Sequence, residues 1–252
     1  MHLKVHIDRL EGNKMDNEAS IEFAQAAQPA SVMTVYADGS YNEGKPGEAR
    51  KLGWAAVWKD PAAPMPEHWT HDEGSIVVEG AGRERTHHSL IREAELRGLK
   101  TGLNNVLMWR PTAVDTVFVL TDSFAALTLV KSWVEGAAAG MDEPILVQMK
   151  HLAGRLHEQG VAVTLRWLKS RSRVDGHDVA DVWARIASGA GPEMSHDYYG
   201  RHYEVRLLVQ QQASWEKKKN KALDGKFCAN WIFLPFPLVK LFVGMWIMRL
   251  LH

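Results

Sequence analysis

Val32-Met33-Thr34-Val35-Tyr36-Ala37-Asp38 is an apolar, alternating run that ends on a carboxylate. Val117-Phe118-Val119-Leu120-Thr121-Asp122 is a second run that ends the same way. Stretches rich in Val, Thr and aromatic residues read as strands, so both acids fall at strand ends. A carboxylate at that place is costly to bury unless something positive meets it. Two more acids, Glu95 and Asp181, lie early in stretches with helical periodicity. Two acids at strand ends and two on helices suggest a pocket for hard divalent cations, which prefer oxygen ligands. Three of the acids also have an ordinary reading. Asp122-Ser123 could cap a helix, Asp181 could be a solvent-facing helix acid, and Glu93 stands two positions before Glu95.

Outward from these runs, further elements appear. Three strands are expected at about 32–38, 53–59 and 75–81. The turn-rich Asn42-Glu43-Gly44-Lys45-Pro46-Gly47 joins the first two, and a loop with Pro61, Pro64 and Pro66 joins the next two. Hairpin links imply an antiparallel start to the sheet. A helix is expected at 90–107 with Ser89 as N-cap, its apolar face built from Leu90, Ala94, Leu96, Leu99 and Leu103. A strand at 114–121 follows, then a helix to about Val134, a break at Gly136-Ala137-Ala138-Ala139-Gly140, and a helix from Glu143 to Gln159. Val161 to Trp167 is a fifth strand, and Gly176 to Ser188 is the last helix of the core. The order is βββαβααβα. It predicts an α/β fold, a mixed five-stranded sheet with helices on both faces.

The ends read differently. Residues 1–30 are mixed and polar, and are expected to form a poorly ordered arm or a short helix. Residues 189–252 form a C-terminal extension, with a basic run, Lys217-Lys218-Lys219-Asn220-Lys221, and an apolar, aromatic segment from Phe227 to Leu251. That segment has the length of a bilayer span, about 20 residues. Lys240 stands in its middle, and Pro235 and Pro237 interrupt it. A tail anchor, a segment packed on the domain and unselected sequence all remain open for it.

Composition narrows the function class. Lys plus Arg and Asp plus Glu each number 30, so the charge is balanced. That argues against gripping nucleic acid by bulk positive charge, though not against a local patch. The single cysteine, Cys228, excludes an internal disulfide framework and a cysteine-based zinc site. With no apolar signal core in the first residues, the expected location is intracellular, cytoplasmic or nuclear.

The surroundings of the four acids carry a resemblance. They are Tyr36-Ala37-Asp38-Gly39-Ser40, Ala94-Glu95-Leu96-Arg97-Gly98-Leu99, Leu120-Thr121-Asp122-Ser123 and Gly176-His177-Asp178-Val179-Ala180-Asp181. In this order, each on the right kind of element, they resemble the ribonuclease H family, above all its compact, retroelement-like type 1 form. The resemblance covers about residues 31–188. It implies an endonuclease that hydrolyses the RNA strand of an RNA–DNA hybrid with two Mg²⁺ ions, for which Mn²⁺ can substitute. Asp38, Glu95, Asp122 and Asp181 would be the catalytic metal ligands, with Asp38 bridging both ions. Gly39, Ser40, Asn42, Ser123 and Arg171 would meet the substrate. The hybrid is the partner implied; no protein partner is.

Two departures stand against the pattern. The family carries a histidine ten residues before the final aspartate, where this chain has Arg171. Arginine does not shuttle protons near neutral pH, but it attracts phosphate. Phe124 stands where a polar residue is usual. These departures open an alternative: a degenerate, vestigial retroelement-derived domain that binds nucleic acid without efficient catalysis. His177 takes the place of the family's asparagine and is expected to start the last helix.

Overall fold

The computed structural model describes residues 3–8, 15–45, 48–59, 69–78 and 85–191. Its strands are β1 (Leu3–His6), β2 (Val32–Asn42), β3 (Lys51–Lys59), β4 (Trp69–Val77), β5 (Thr116–Thr121) and β6 (Ala162–Trp167). Its helices are α1 (Asn17–Gln25), α2 (His87–Trp109), α3 (Phe124–Val134), α4 (Glu143–Glu158) and α5 (Asp175–Ser188). The six strands form one sheet in the order β1-β6-β5-β2-β3-β4. β1, β6, β5 and β2 run parallel to their neighbours, while β3 and β4 close the sheet as an antiparallel meander.

The central strands show why the sheet has two covered faces. On β2, Val35 and Ala37 join a core with Leu96, Leu99 and Leu103 of α2 and Met149 and Leu156 of α4. On the other face, Tyr36 meets Gly176 at the start of α5, and Ser40 bonds Ser188 at its end. Val117, Val119 and Leu120 of β5 are fully buried, as expected for a parallel strand between helical layers.

Three sequence expectations need correction. The sheet has six strands, not five. β1 adds itself beside β6, with Leu3 opposite Val163 and His6 opposite Arg166. Residues 1–30, read as an arm or short helix, therefore contain a sheet strand as well as α1, whose first turn is capped by the Asp16 carboxylate on Ala19 N–H at 3.0 Å. The third meander strand lies at Trp69–Val77 instead of 75–81. The ladder to β3 begins at the pair Lys59 and Trp69. Finally, Thr86 and not Ser89 caps α2; its hydroxyl accepts from Ser89 N–H at 3.2 Å.

Among the described residues no helix is long and apolar enough to cross a membrane. The basic run 217–221 and the apolar segment 227–251 lie outside them.

Candidate active site

The sheet itself opens the site. The ladder between β2 and β5 ends at the pair Tyr36 and Leu120. Asp38 and Asp122 each stand two residues beyond that pair, one on either side of the gap where β5 has stopped and β2 continues. A polar side chain is tolerated there because the sheet is no longer closed above it.

Helix α2 brings the third acid. Gly98 rests on β2 so closely that a Cβ would lie 2.7 Å from the carbonyl oxygen of Asp38. A Cβ on Gly39 would strike the backbone of Glu95. Two glycines thus let helix and strand backbones touch at this level, which no larger residue allows. The Gly39 N–H and the Thr121 hydroxyl both hydrogen-bond the Glu95 carboxylate, the second at 3.4 Å.

Carboxylate oxygens of Asp38, Glu95 and Asp122 all lie within 4.8 Å of one another. Asp38 and Glu95 are buried. Burial, and then the charge of Glu95, pushes the Asp38 carboxyl well above the usual range. Burial and the charge of Asp122 do the same to Glu95, against the pull of its Thr121 bond. Crowded buried carboxylates of this kind need a cation to ionise together. Oxygen donors alone, converging from three elements, suit a hard divalent ion.

Asp181 lies outside this group of three. It sits on α5, 39% exposed at its side chain, and accepts from Arg185 Nε at 2.9 Å. Its charge still raises Asp38 and Glu95. Glu93, the alternative to Glu95, is committed elsewhere: it takes Arg97 at 2.7 Å and also pairs with Arg85.

His177 is the site residue that sequence reasoning undervalued. It lies in the first turn of α5 but does not start it; the helix begins two residues earlier, at Asp175. Its ring also reaches Asp122, with Nε2 3.3 Å from Oδ2, and Nδ1 has no hydrogen-bond partner among the described residues. Burial opposes its charge, but the Asp122 bond and the charges of Asp122, Asp38 and Asp181 raise it to about 9. Burial would also raise Asp122; the His177 bond and charge outweigh it and hold that carboxyl below its usual range. At neutral pH the pocket therefore contains an imidazolium against the Asp122 carboxylate.

The residues assigned to substrate are placed as follows. Gly39 serves the α2 contact and Glu95. Ser40 Oγ accepts from Ser188 Oγ at 3.1 Å, and the Asn42 amide donates to Ser188 O at 3.2 Å, so both tie β2 to the end of α5. Ser123 caps α3, accepting from Ala126 N–H at 3.3 Å. That cap belongs to Ser123, which leaves the Asp122 carboxylate for the cluster. Arg171 is exposed in the loop 168–174, with φ 55°, and Arg173 has φ 59°.

A parallel β2-β5-β6 block beside a β2-β3-β4 meander, with helices on both faces and acids at the β2/β5 gap, decides the fold. The fold is ribonuclease H-like. No family profile matches the chain, and no curated protein does. Among solved structures it is similar to the N-terminal RNase H domain of a Mycobacterium tuberculosis protein, solved as a fusion with maltose-binding protein. That match has 21% identity and TM-score 0.43, covering 64% of this chain and 95% of that one. It is similar to LC9-RNase H1, a type 1 RNase H with the type 2 active-site motif, at 14% identity and TM-score 0.42, covering 73% and 87%. It is also similar to a foamy viral protease–reverse transcriptase in complex with an RNA/DNA hybrid, at 15% identity and TM-score 0.40, covering 73% of this chain and 22% of that one. In this ribonuclease H-like fold the sixth strand β1 extends the sheet beyond β6.

Proposed function

We propose that the chain is a metal-dependent endonuclease that hydrolyses the RNA strand of RNA–DNA hybrids. One observation carries this: three carboxylates, two of them buried, converge within 4.8 Å at an opening in the sheet. Asp38, Glu95 and Asp122 would hold divalent ions, with Asp181 contributing from α5; two Mg²⁺ are the expected complement, and Mn²⁺ can replace them. Bound there, such ions supply an activated water and neutralise phosphate and leaving-group oxygens. The chain's own residues do the rest. Glu95 is fixed by Gly39 N–H and Thr121, and Asp122 by His177, so the acids are oriented before substrate arrives. Lys169, Arg171 and Arg173 give the neighbouring loop a positive charge that suits phosphate. RNA is told from DNA by its 2′-hydroxyls.

A second reading, a binding domain without efficient catalysis, is favoured by His177, whose positive ring lies against Asp122, a ligand in the first reading, and by Arg171 in place of a proton-shuttling histidine. One assay separates the two. The full chain is incubated with end-labelled RNA–DNA hybrid, single-stranded RNA and duplex DNA, with Mg²⁺, with Mn²⁺ or with EDTA. Cleavage of the hybrid RNA alone, stopped by EDTA, is expected. Hybrid binding without cleavage under either metal selects the second reading.

A further inference from the structure

The N-terminal segment belongs to no part of the site described above, yet it is bonded to the element beside it. Asp8 holds Arg166 of β6 at 2.8 and 2.9 Å, and the Arg166 guanidinium lies 3.6 Å over the Phe23 ring of α1. Phe23 in turn packs edge-on against Phe118 of β5, with centroids 4.7 Å apart. Tyr36 of β2 donates its hydroxyl hydrogen to Ala24 O at 3.0 Å. Segment and sheet are joined at β2, β5 and β6, the strands whose ends frame the carboxylates.

The contact that matters most is made by Ser20. It is 1% exposed, and its hydroxyl donates to Asn17 O at 2.9 Å while accepting from Lys169 N–H at 3.3 Å. Lys169 is the second residue of the loop 168–174. Leu168 N–H, next to it, bonds Thr121 O at 2.9 Å, and the Trp167 indole N–H bonds Asp122 O at 3.2 Å. The following Ser170 hydroxyl bonds the Asp122 carboxylate. Four successive residues, 167–170, are thus pinned, three to the end of β5 and one to α1. The backbone beyond them adopts positive φ at Arg171 and Arg173, a conformation that non-glycine residues hold only under constraint.

We propose that Ser20 is a positioning residue: through Lys169 it holds residues 167–170 against Asp122, so the N-terminal segment is a working part of the active site. Ser20 touches neither metal nor substrate. Its effect on turnover rests on the hybrid-nuclease reading above, whereas its effect on the loop and on Asp122 does not.

The test uses the full chain carrying Ser20→Ala, with Ser20→Cys as a second variant of similar size but weak acceptor strength. Gln28→Ala is the control, because it removes another hydrogen bond of this segment, to Phe23 O, that involves no residue of the loop. Amide hydrogen exchange is followed across 167–174, and Mn²⁺ affinity is measured by calorimetry. A backbone N–H deprived of its partner shifts an opening equilibrium by roughly tenfold. Exchange in 167–174 should rise by about that factor in both Ser20 variants, Mn²⁺ binding should weaken several-fold, and the control should match wild type. With hybrid as substrate, kcat should fall with KM unchanged. Unchanged exchange and unchanged Mn²⁺ affinity in both Ser20 variants would overturn the proposal. If the wild type cleaves no hybrid, the nuclease reading fails, and exchange with Mn²⁺ affinity still decides the role of Ser20.

Discussion

His177 Nε2 lies 3.3 Å from Asp122 Oδ2, so a base at the start of α5 meets the acid at the end of β5. Both groups are shifted toward their charged forms by this contact. His177 is raised from 6.5 to about 9, so its stabilisation is complete below 6.5 and is lost as pH rises through about 9. Asp122 is held below its ordinary 3.8, so its share is present above that value and is lost as pH falls through the lowered one. Urea unfolding of metal-free wild type and His177→Asn should therefore show the largest stability difference between about pH 4 and 6.5, shrinking toward pH 9 and beyond. A difference that stays flat from pH 6 to 10 would show that the pair is not charged as described.

Asp38 and Glu95 are shifted the other way, toward their protonated forms. A carboxyl raised in the folded state stabilises it at low pH, and that share is lost as pH rises through the folded value. In the absence of metal, Asp38→Asn should raise stability, because it removes a buried carboxyl whose charged form is disfavoured. Measured in EDTA at pH 6 and pH 9, the gain should be no smaller at the higher pH. Thermal unfolding with the variant below wild type at both pH values would remove the charge crowding at Asp38.

The same crowding makes protons and cations competitors. Ions bound by Asp38 and Glu95 must displace protons, so Mn²⁺ affinity should rise with pH and binding should release protons. Calorimetry in buffers of different ionisation enthalpy measures that release directly. Binding with no proton exchange at pH 6.5 would place the ion elsewhere.

Asp122→Asn preserves the shape of the side chain and removes its charge. It should lower the hybrid cleavage rate by at least about 10²-fold, the scale of losing a principal electrostatic group, while circular dichroism stays that of wild type. Wild-type speed in this variant would exclude Asp122 from the chemistry.

Arg171 occupies the position ten residues before Asp181. A histidine there titrates near neutral pH and tolerates a left-handed backbone better than most residues, which suits the φ of 55°. Arg171→His should raise kcat on hybrid substrate. A flat or lower kcat with unchanged unfolding would assign Arg171 to phosphate attraction alone.

Much of this was visible in the sequence because the chemistry sits where local patterns end. The run to Asp122 is a strand, β5, that stops one residue before the acid; the run to Asp38 is also a strand, but β2 continues past the acid to Asn42; and Glu95 falls on the buried side of α2 beside Ala94 and Leu96. What sequence did not show depends on contacts distant in the chain. β1 has only four residues, and its partner Val163 lies far along the sequence. His177 looks like any residue in a first helical turn until α5 docks beside β5. Ser20 looks like a polar residue of a short helix; its partner is Lys169, on the far side of the sheet's construction. Gly39 and Gly98 were readable as tripeptide and helix positions, but their task, letting two backbones touch, appears only in three dimensions.

The pairing of Leu3 with Val163 has a consequence for how the chain is made. The first strand leaves the ribosome long before β6 exists. At roughly 5–20 residues per second, it waits on the order of ten seconds for its neighbour. Residues 167–170 emerge immediately after β6, so β1 and Ser20 both meet their partners at nearly the same moment. A nascent chain stalled before Val163 would carry Asp38, Glu95 and Asp122 already synthesised, yet neither the edge that receives β1 nor the backbone that receives Ser20.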